Sequence, residues 1–524
     1  MLGARGAAKW RGVVRGAERR RPLAELERAI DGPDDNLIEA PAISGRETYS
    51  GLTHDSREVA PGDVFVAIPG ARHDGLDHVA EALAAGACAV IAQADPGIDP
   101  PLYKVRDARL ALGRAARLFH GAPSGAMRVL GITGTNGKTT VAWMLRHLLR
   151  RLGLPAGMLG TVEYDTGAGP RSARLTTPDA LELQTLLAEM RKRGLEAAIV
   201  EASSQGLELR RFEGCDVHVG VFTNLTRDHL DHHGTMEAYR EAKLMLVDRV
   251  RSSSGPWKRA IVYDAADPAW ETIPARAKGI ELLRFDSTAE GAIEGAFSTR
   301  VESVDLGGTT FWLFGPGIVR TGVRAFLRLP GRHNLANGLA AVASCASCGI
   351  DPALAVEALA DFAGVPGRLE PVAAGAGAPS LFVDYAHTPD AVERVLTELR
   401  PLVAGRLIAL FGCGGDRDRG KRPVMGRAVT RIADVAILTN DNPRGEDPGH
   451  IVEDVRAGLS GPCEIILDRA DAIERAIALA GSEDAVVLLG KGHEDYQILG
   501  RERRDFDDRR VAETFLRIQW GNPV

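Results

Sequence analysis

The sequence predicts an α/β protein built on parallel sheets, and three observations carry that expectation. Short β-branched or aromatic runs, such as VFVAI, ACAVIAQ and RVLGIT, alternate with longer helical stretches such as DHVAEALAAG and DALELQTLLAEMRKRG. Alternation of this kind argues for parallel strands covered by helices. The 524 residues hold material for roughly three or four domains of ordinary size. Late in the chain, four apolar runs each end in a polar loop: LFVD-YAHTPD, RLIALF-GCGGDRDRGKR, VAILT-NDNPRGED and AVVLL-GKGHEDYQ. Ligands of open α/β sheets bind beyond the carboxyl ends of the strands, so four such loops predict one shared site.

Taken in order, residues 1–22 form a basic tail that lacks the continuous apolar core of a secretory signal. It reads as a frayed terminus, with a transit peptide as the alternative. Residues 23–121 mix short strands with helices such as ALGRAARLFHG. A second region, 122–364, opens with RVLGIT, a Gly-rich knot and the helix VAWMLRHLLRRLG, which a glycine stops. Strand AAIVEASS, strand VHVGVFTN and helix MEAYREAKLMLVDRV follow. Between Gly295 and Leu329, apolar–polar alternation predicts a small antiparallel patch. Residues 365–524 carry the four strand-end loops.

Composition narrows the partners. Lys and Arg total 64 against 70 Asp and Glu, a formal charge of -6, which gives no support for a nucleic-acid partner. No run approaches the ~18 apolar residues that a membrane span requires. Six scattered cysteines suit a reducing cytoplasm better than a disulfide scaffold. Cys345 and Cys348 form a lone C-x-x-C in an Ala-rich helical pattern and read as small packing residues.

The most informative stretch is GITGTNGKTT, residues 131–140. A strand, a Gly-rich turn and a helix make a phosphate cradle. Backbone N–H groups approach the anion there, and the helix N-terminus adds a favourable dipole. Lys138 is placed to reach terminal phosphate oxygens and Thr139 to ligate magnesium. The general P-loop pattern would put glycine where Ile132 stands; a ligand-free turn is the blander alternative. Glu201, closing AAIVE, presents a carboxylate where magnesium needs an oxygen ligand; its alternative is a solvated strand-end Glu. TNLTRDHLDHHG gathers three histidines, which alone suggest zinc, although no cysteine or H-E-x-x-H pattern supports it.

In order and spacing, GITGTNGKTT, EASSQGLE, TNLTRDHLDHHGTMEAYREAK, LPGRHNLANGLAA, GRLE and DYAHTP resemble the ATP-dependent Mur ligases of peptidoglycan and cell-wall synthesis. The resemblance runs from about HDSR to GKGHEDYQ and is closest to the diaminopimelate-adding members. It implies a three-domain architecture: an N-terminal UDP-substrate domain (23–121), a central P-loop parallel-sheet ATPase domain (122–364) and a Rossmann-like C-terminal amino-acid domain (365–524). It also implies a cytoplasmic monomer that uses ATP and Mg2+ to turn a substrate carboxylate into an acyl phosphate for attack by an amine. Because ATP and amine bind different domains, closure of those domains is expected.

Residue by residue, the resemblance assigns ATP to Gly134, Thr135, Asn136, Gly137, Lys138, Thr139 and Thr140, the adenine to Asn334, and further contacts to Arg368 and Asp384. Thr139 and Glu201 serve one magnesium ion and His229 the second. Lys243 matches the family's carbamylated lysine (N6-carboxylysine), the alternative being an ordinary solvated lysine. Lys138, Lys243, His229 and Glu201 form the catalytic set. The UDP-N-acetylmuramoyl-L-alanyl-D-glutamate substrate falls to Ser56, the loop Ala71, Arg72 and His73, then Thr176, Thr177, Ser203, Leu209 and Arg211.

For meso-diaminopimelate the implied contacts are Arg417, Asp441, Asn442, Pro443, Arg444, Gly490 and Glu494. The second carboxylate of this diamine suits a planar, permanently charged guanidinium such as that of Arg444, and the distal ammonium suits Glu494. Two departures from the family pattern are Gln205, where His is frequent, and Leu209, where some members carry a polar contact. The competing readings are a P-loop switch or motor, a lysine-adding muramyl ligase and a folylpolyglutamate synthase.

Overall fold

Four short apolar strands, Gly51–Thr53, Asp63–Val66, Ala89–Ala92 and Leu102–Val105, pair in parallel in that order, with Leu37–Glu39 antiparallel on the last. The structure, a computed structural model, describes residues 13–15, 20–43, 45–70, 73–97 and 101–521. Helix Ala108–His120 starts on Asp107, whose carboxylate accepts from the Arg109 and Leu110 N–H groups, and stops at Gly121 in the left-handed region. These interactions are the usual helix start and stop signals. Leu26, Leu52, Val64, Ile91, Leu112 and Phe119 form the core of this sheet.

The second sheet has eleven strands and includes the run Glu163–Asp165, Ala156–Leu159, Ala197–Glu201, Arg128–Thr133, Val219–Phe222, Ala260–Asp264, Glu281–Glu290. The pairings from Ala156–Leu159 through Glu281–Glu290 are parallel. Strand Ala197–Glu201 is buried along its whole length, as continuous apolar runs are when helices cover both faces.

The first sheet and this run of the second share one compact unit: Met1–Ser298, Phe314–Arg320 and Ala336–Ala358. The expected division at 121/122 therefore falls inside a single unit. The cause is local packing. Leu181 of helix Ala180–Lys192 belongs to the first sheet's core. Around it, Arg117 pairs with Asp216 at 2.5 Å, Arg210 with Asp107 at 2.6 Å, and Thr185 Oγ1 with His120 Nε2 at 3.2 Å.

The second unit comprises Thr299–Leu313, Thr321–Leu335 and Leu359–Val524. Residues 309–313 pair antiparallel with Val323–Leu327, within the patch that the alternation predicts. Its main sheet is ordered Glu370–Pro371, Ser380–Asp384, Ala485–Leu489, Leu407–Phe411, Val435–Leu438, Glu464–Ile465, parallel except at the first pair. Parallel strands share one carboxyl edge, so the four polar loops emerge together. The six cysteines are free thiols; Cys345 is wholly buried and Cys348 partly so, in keeping with packing roles. Among the described residues no helix is long and apolar enough to cross a membrane.

Candidate active site

Strand order builds the phosphate cradle. Arg128–Thr133 lies between Ala197–Glu201 and Val219–Phe222, all parallel, so Gly134, Glu201 and Thr223 follow at one edge. Gly134 (φ 144°) and Gly137 (φ 86°) hold conformations that side chains resist. A Cβ at the first would collide with Thr223 Oγ1, and at the second with Asn337 Oδ1. The loop is braced from behind. Thr135 N donates to Asn224 O (2.7 Å), Asn136 N to Asn224 Oδ1 (3.1 Å), and Thr223 Oγ1 to Asn136 O (2.6 Å). Helix Lys138–Arg151 begins on Gly137 without a side-chain cap, and Thr139 and Thr140 are buried in its first turn. An uncapped helix start is a favourable place for an anion.

Lys138 Nζ curls over the loop, donating to Gly134 O (2.9 Å) and Thr135 O (2.8 Å). Lys243 Nζ donates to the same Gly134 carbonyl at 2.8 Å and lies 4.4 Å from the Tyr239 ring. Lys243 is only 1% exposed, so the solvated-lysine alternative fails. Burial, reinforced by the Lys138 charge and opposed by Asp228, holds its amine well below the usual lysine range.

Glu201 is fully buried at the end of its strand. Its Oε2 accepts from Thr139 Oγ1 (3.1 Å) and Thr161 Oγ1 (3.0 Å), and Oε1 from Thr161 N (3.0 Å). Thr161 continues to Thr176 Oγ1 at 3.1 Å. One residue on, Thr177 Oγ1 donates to Glu201 O (2.7 Å) and meets Ser203 Oγ (3.0 Å), while Arg211 donates to Thr177 O (2.7 Å). One hydrogen-bonded network thus joins the cradle to Thr176, Thr177, Ser203 and Arg211. Leu209 caps the helix Ser204–Glu208 that carries Gln205.

His229 has a left-handed backbone (φ 53°) before the short helix Leu230–His233, and its ring stands 6.0 Å from Tyr239. Tyr239 therefore lies against both His229 and Lys243. In the first sheet's region, Ser56 Oγ donates to Glu81 Oε2 at 2.8 Å, and His73 is exposed. Ala71 and Arg72 lie outside the described residues.

The second unit holds the remaining expected residues. Asn334 Nδ2 donates to Pro330 O (2.8 Å), and the Arg368 guanidinium covers the Tyr385 ring at 4.7 Å. Asp384 accepts from Leu369 N and Ala386 N, both at 2.7 Å, tying GRLE to DYAHTP. Burial raises its pKa against the opposing pull of Arg368. Burial, with the Arg368 charge, lowers the neighbouring His493 to about 4.

Three loops converge on the proposed amine contacts. Arg444, at φ 52°, donates from Nη1 to Gly415 O (2.9 Å), and its backbone N–H to Ile498 O (3.1 Å). Asn442 Nδ2 donates to Glu494 Oε2 (2.8 Å), and its Oδ1 accepts from Ile498 N (2.9 Å). Buried Lys491 lies 3.3 Å from the same Glu494 oxygen and donates to Tyr496 O. A Cβ on Gly490 would press on Asp441 Oδ2, and one on Gly414 on Arg444 Nη1, with Arg417 Cγ close by. Pro443 O lies against Gly415.

Sequence reasoning missed Thr161, Tyr239, Lys491 and Arg469. The fully buried Arg469 pairs with Asp508 (2.5 Å) and donates to Asn440 O (3.3 Å) and Leu489 O (3.0 Å), just before Asp441 and Gly490. Only Lys491, a cation between glycines at a strand end, carried a local signal.

The fold and cradle define an α/β phosphate-binding protein of P-loop type with a separate strand-end site. Three family descriptions match the chain: "Mur ligase family, catalytic domain" over 48–120, "Mur ligase middle domain" over 132–345, and "Mur ligase, glutamate ligase domain" over 367–492. A UDP-N-acetylmuramoyl-L-alanyl-D-glutamate--2,6-diaminopimelate ligase of Bacillus cereus is 39% identical over 471 residues, covering 89% of this chain and 94% of the relative. Its counterpart from Pseudomonas putida is 41% identical over 489 residues, covering 90% and 95%. A solved structure of a ligase with the same name aligns at TM-score 0.68 and 33% identity, covering 96% of this chain and 99% of the other. The chain belongs to the Mur ligase family of ATP-dependent ligases and has its three-domain fold.

Proposed function

We propose that the protein joins meso-diaminopimelate to UDP-N-acetylmuramoyl-L-alanyl-D-glutamate with hydrolysis of ATP to ADP and phosphate, acting as a cytoplasmic monomer in peptidoglycan synthesis. The observation that carries the substrate choice is the pairing of opposite charges at one set of strand ends: the Arg444 guanidinium on one loop and the Glu494 carboxylate held by Asn442. The distal end of diaminopimelate offers an ammonium and a second carboxylate, a partner for each charge; the distal end of lysine has the ammonium alone.

In the first step an oxygen of the D-glutamyl carboxylate attacks the γ-phosphorus and the bond to ADP breaks. In the second, the diaminopimelate amine attacks the acyl carbon, inorganic phosphate leaves, and the amine proton passes to solvent. Lys138 and the backbone of residues 134–140 bind the polyphosphate. Thr176, Thr177, Ser203 and Arg211 orient the dipeptide through the network that ends on Glu201. With its ammonium form disfavoured by burial, Lys243 gives up a proton to solvent; its amine nitrogen then bonds to the carbon of carbon dioxide and releases a second proton, leaving an anionic carbamate beside the cradle.

Thr139 and Glu201 offer only oxygen donors 3.1 Å apart, a set that fits magnesium, and His229 and carbamylated Lys243 complete the proposed ligands. Bound there, magnesium would neutralise charge on the phosphate oxygens.

The test is phosphate release by the purified protein given ATP, UDP-muramyl dipeptide and either meso-diaminopimelate or lysine. Release with amide formation should require the dipeptide and diaminopimelate. Equal amide formation with lysine, or release without dipeptide or amine, would overturn the assignment.

A further inference from the structure

Three polar side chains outside the cradle point at one another. Glu208 ends the helix Ser204–Glu208; His232 and His233 close the helix Leu230–His233. One ligand atom from each lies within 4.8 Å of the others. His232 Nε2 is 2.9 Å from Glu208 Oε2, and His233 Nδ1 is 3.3 Å from Glu208 Oε1. Two donors bound to zinc at tetrahedral angles stand about 3.3 Å apart; each imidazole lies at a comparable distance from one of the two carboxylate oxygens.

The second observation concerns His233. Its side chain is 0% exposed, yet its Nδ1 has no hydrogen-bond partner, because the nearby carboxylate is out of line. An enclosed nitrogen left this way is costly unless something else engages its lone pair. The opposite nitrogen, Nε2, is held at 2.9 Å by Ser204 Oγ. That is how an outer partner fixes a metal-ligating imidazole, leaving the other nitrogen to face the ion.

We propose that Glu208, His232 and His233 bind a divalent transition ion of the zinc type, separate from the Thr139 and Glu201 oxygens that would serve the nucleotide's cation. Two imidazoles and one carboxylate suit zinc, cobalt or nickel better than magnesium, and three protein ligands leave a position for water. The ion ties the segment bearing His229 to the helix that begins beside Ser203. The site positions that segment and takes no part in the chemistry.

The test uses metal-free full-length protein titrated with Co2+ under excess Mg2+, followed by visible absorption and by metal analysis after dialysis. The expected result is one retained cobalt per chain with the intense bands of low coordination, displaced by Zn2+. Glu208→Gln and His232→Asn, both at exposed positions, should each weaken binding on the order of 100-fold, and Ser204→Ala roughly tenfold. Glu201→Gln should leave the cobalt signal intact. The proposal is overturned by unchanged cobalt affinity in the Glu208→Gln/His232→Asn double variant. Thiolate-to-cobalt charge-transfer bands, a weak octahedral spectrum, or no retained cobalt would overturn it equally.

Discussion

A primary amine enclosed at position 243 is a poor cation and a ready nucleophile for carbon dioxide, because burial and Lys138 both disfavour its charged form. Its folded-state pKa lies below that of unfolded lysine, so between those two values the unfolded chain binds more protons and stability rises with pH. The proposed carbamylation would replace the disfavoured ammonium with an anion near Lys138. Lys243→Ala should lower turnover on the order of 100-fold, within the range for loss of a positioned charge, with formate or acetate restoring part of it. Assays in carbon-dioxide-free buffer with and without bicarbonate provide the check, and indifference to both would remove the carbamate.

Glu182 behaves oppositely: burial and Asp179 raise its pKa to about 7. Here the unfolded chain binds fewer protons between the ordinary carboxylate value and about 7, so stability falls as pH rises through that window. Glu182→Gln should abolish this component, worth on the order of 3 kcal/mol. Denaturant unfolding of both proteins at pH 4.5 and 8 should show the variant gaining ground only at the higher pH.

Strand ends and their tethers shape the proposed amine site. Arg444→Ala removes charge-assisted hydrogen bonds worth about 1.5–3 kcal/mol and should raise KM for diaminopimelate roughly 10- to 100-fold while leaving KM for ATP nearly unchanged. Equal shifts in both constants would sink its role. Arg469 acts one layer deeper, through the carbonyls of Asn440 and Leu489. Arg469→Met alone strands a buried Asp508 and should cost about 3–5 kcal/mol of stability, whereas adding Asp508→Leu should recover most of it. If Arg469 positions the loops, the double variant keeps a raised KM for the amine despite normal stability; a normal KM would assign the pair to stability alone.

At the scale of the whole molecule, the ATP-binding residues expected from sequence are divided between two compact units. The cradle belongs to the first, and Asn334, Arg368 and Asp384 to the second. Substrate-dependent ATP hydrolysis is therefore expected to need ligands of both units: omitting either the dipeptide or the diamine should reduce phosphate release to background in the paired assay.

Much of this was legible in the chain. GITGTNGKTT announced a strand, a turn and a helix, and Gly134 and Gly137 have the positive φ and crowded surroundings that only glycine tolerates. The four apolar runs of residues 365–524 became parallel strands sharing one edge. Such features depend on neighbours in sequence, where periodicity and turn chemistry act directly. Tertiary structure alone decided the rest: that Thr161 bridges Glu201 to Thr176, that Tyr239 lies against both His229 and Lys243, and that Leu181 joins the core of the first sheet. Those pairings follow from strand order and helix packing, which bring together side chains many residues apart. No local pattern encodes that choice, because its energy resides in contacts that exist only once the sheets have formed.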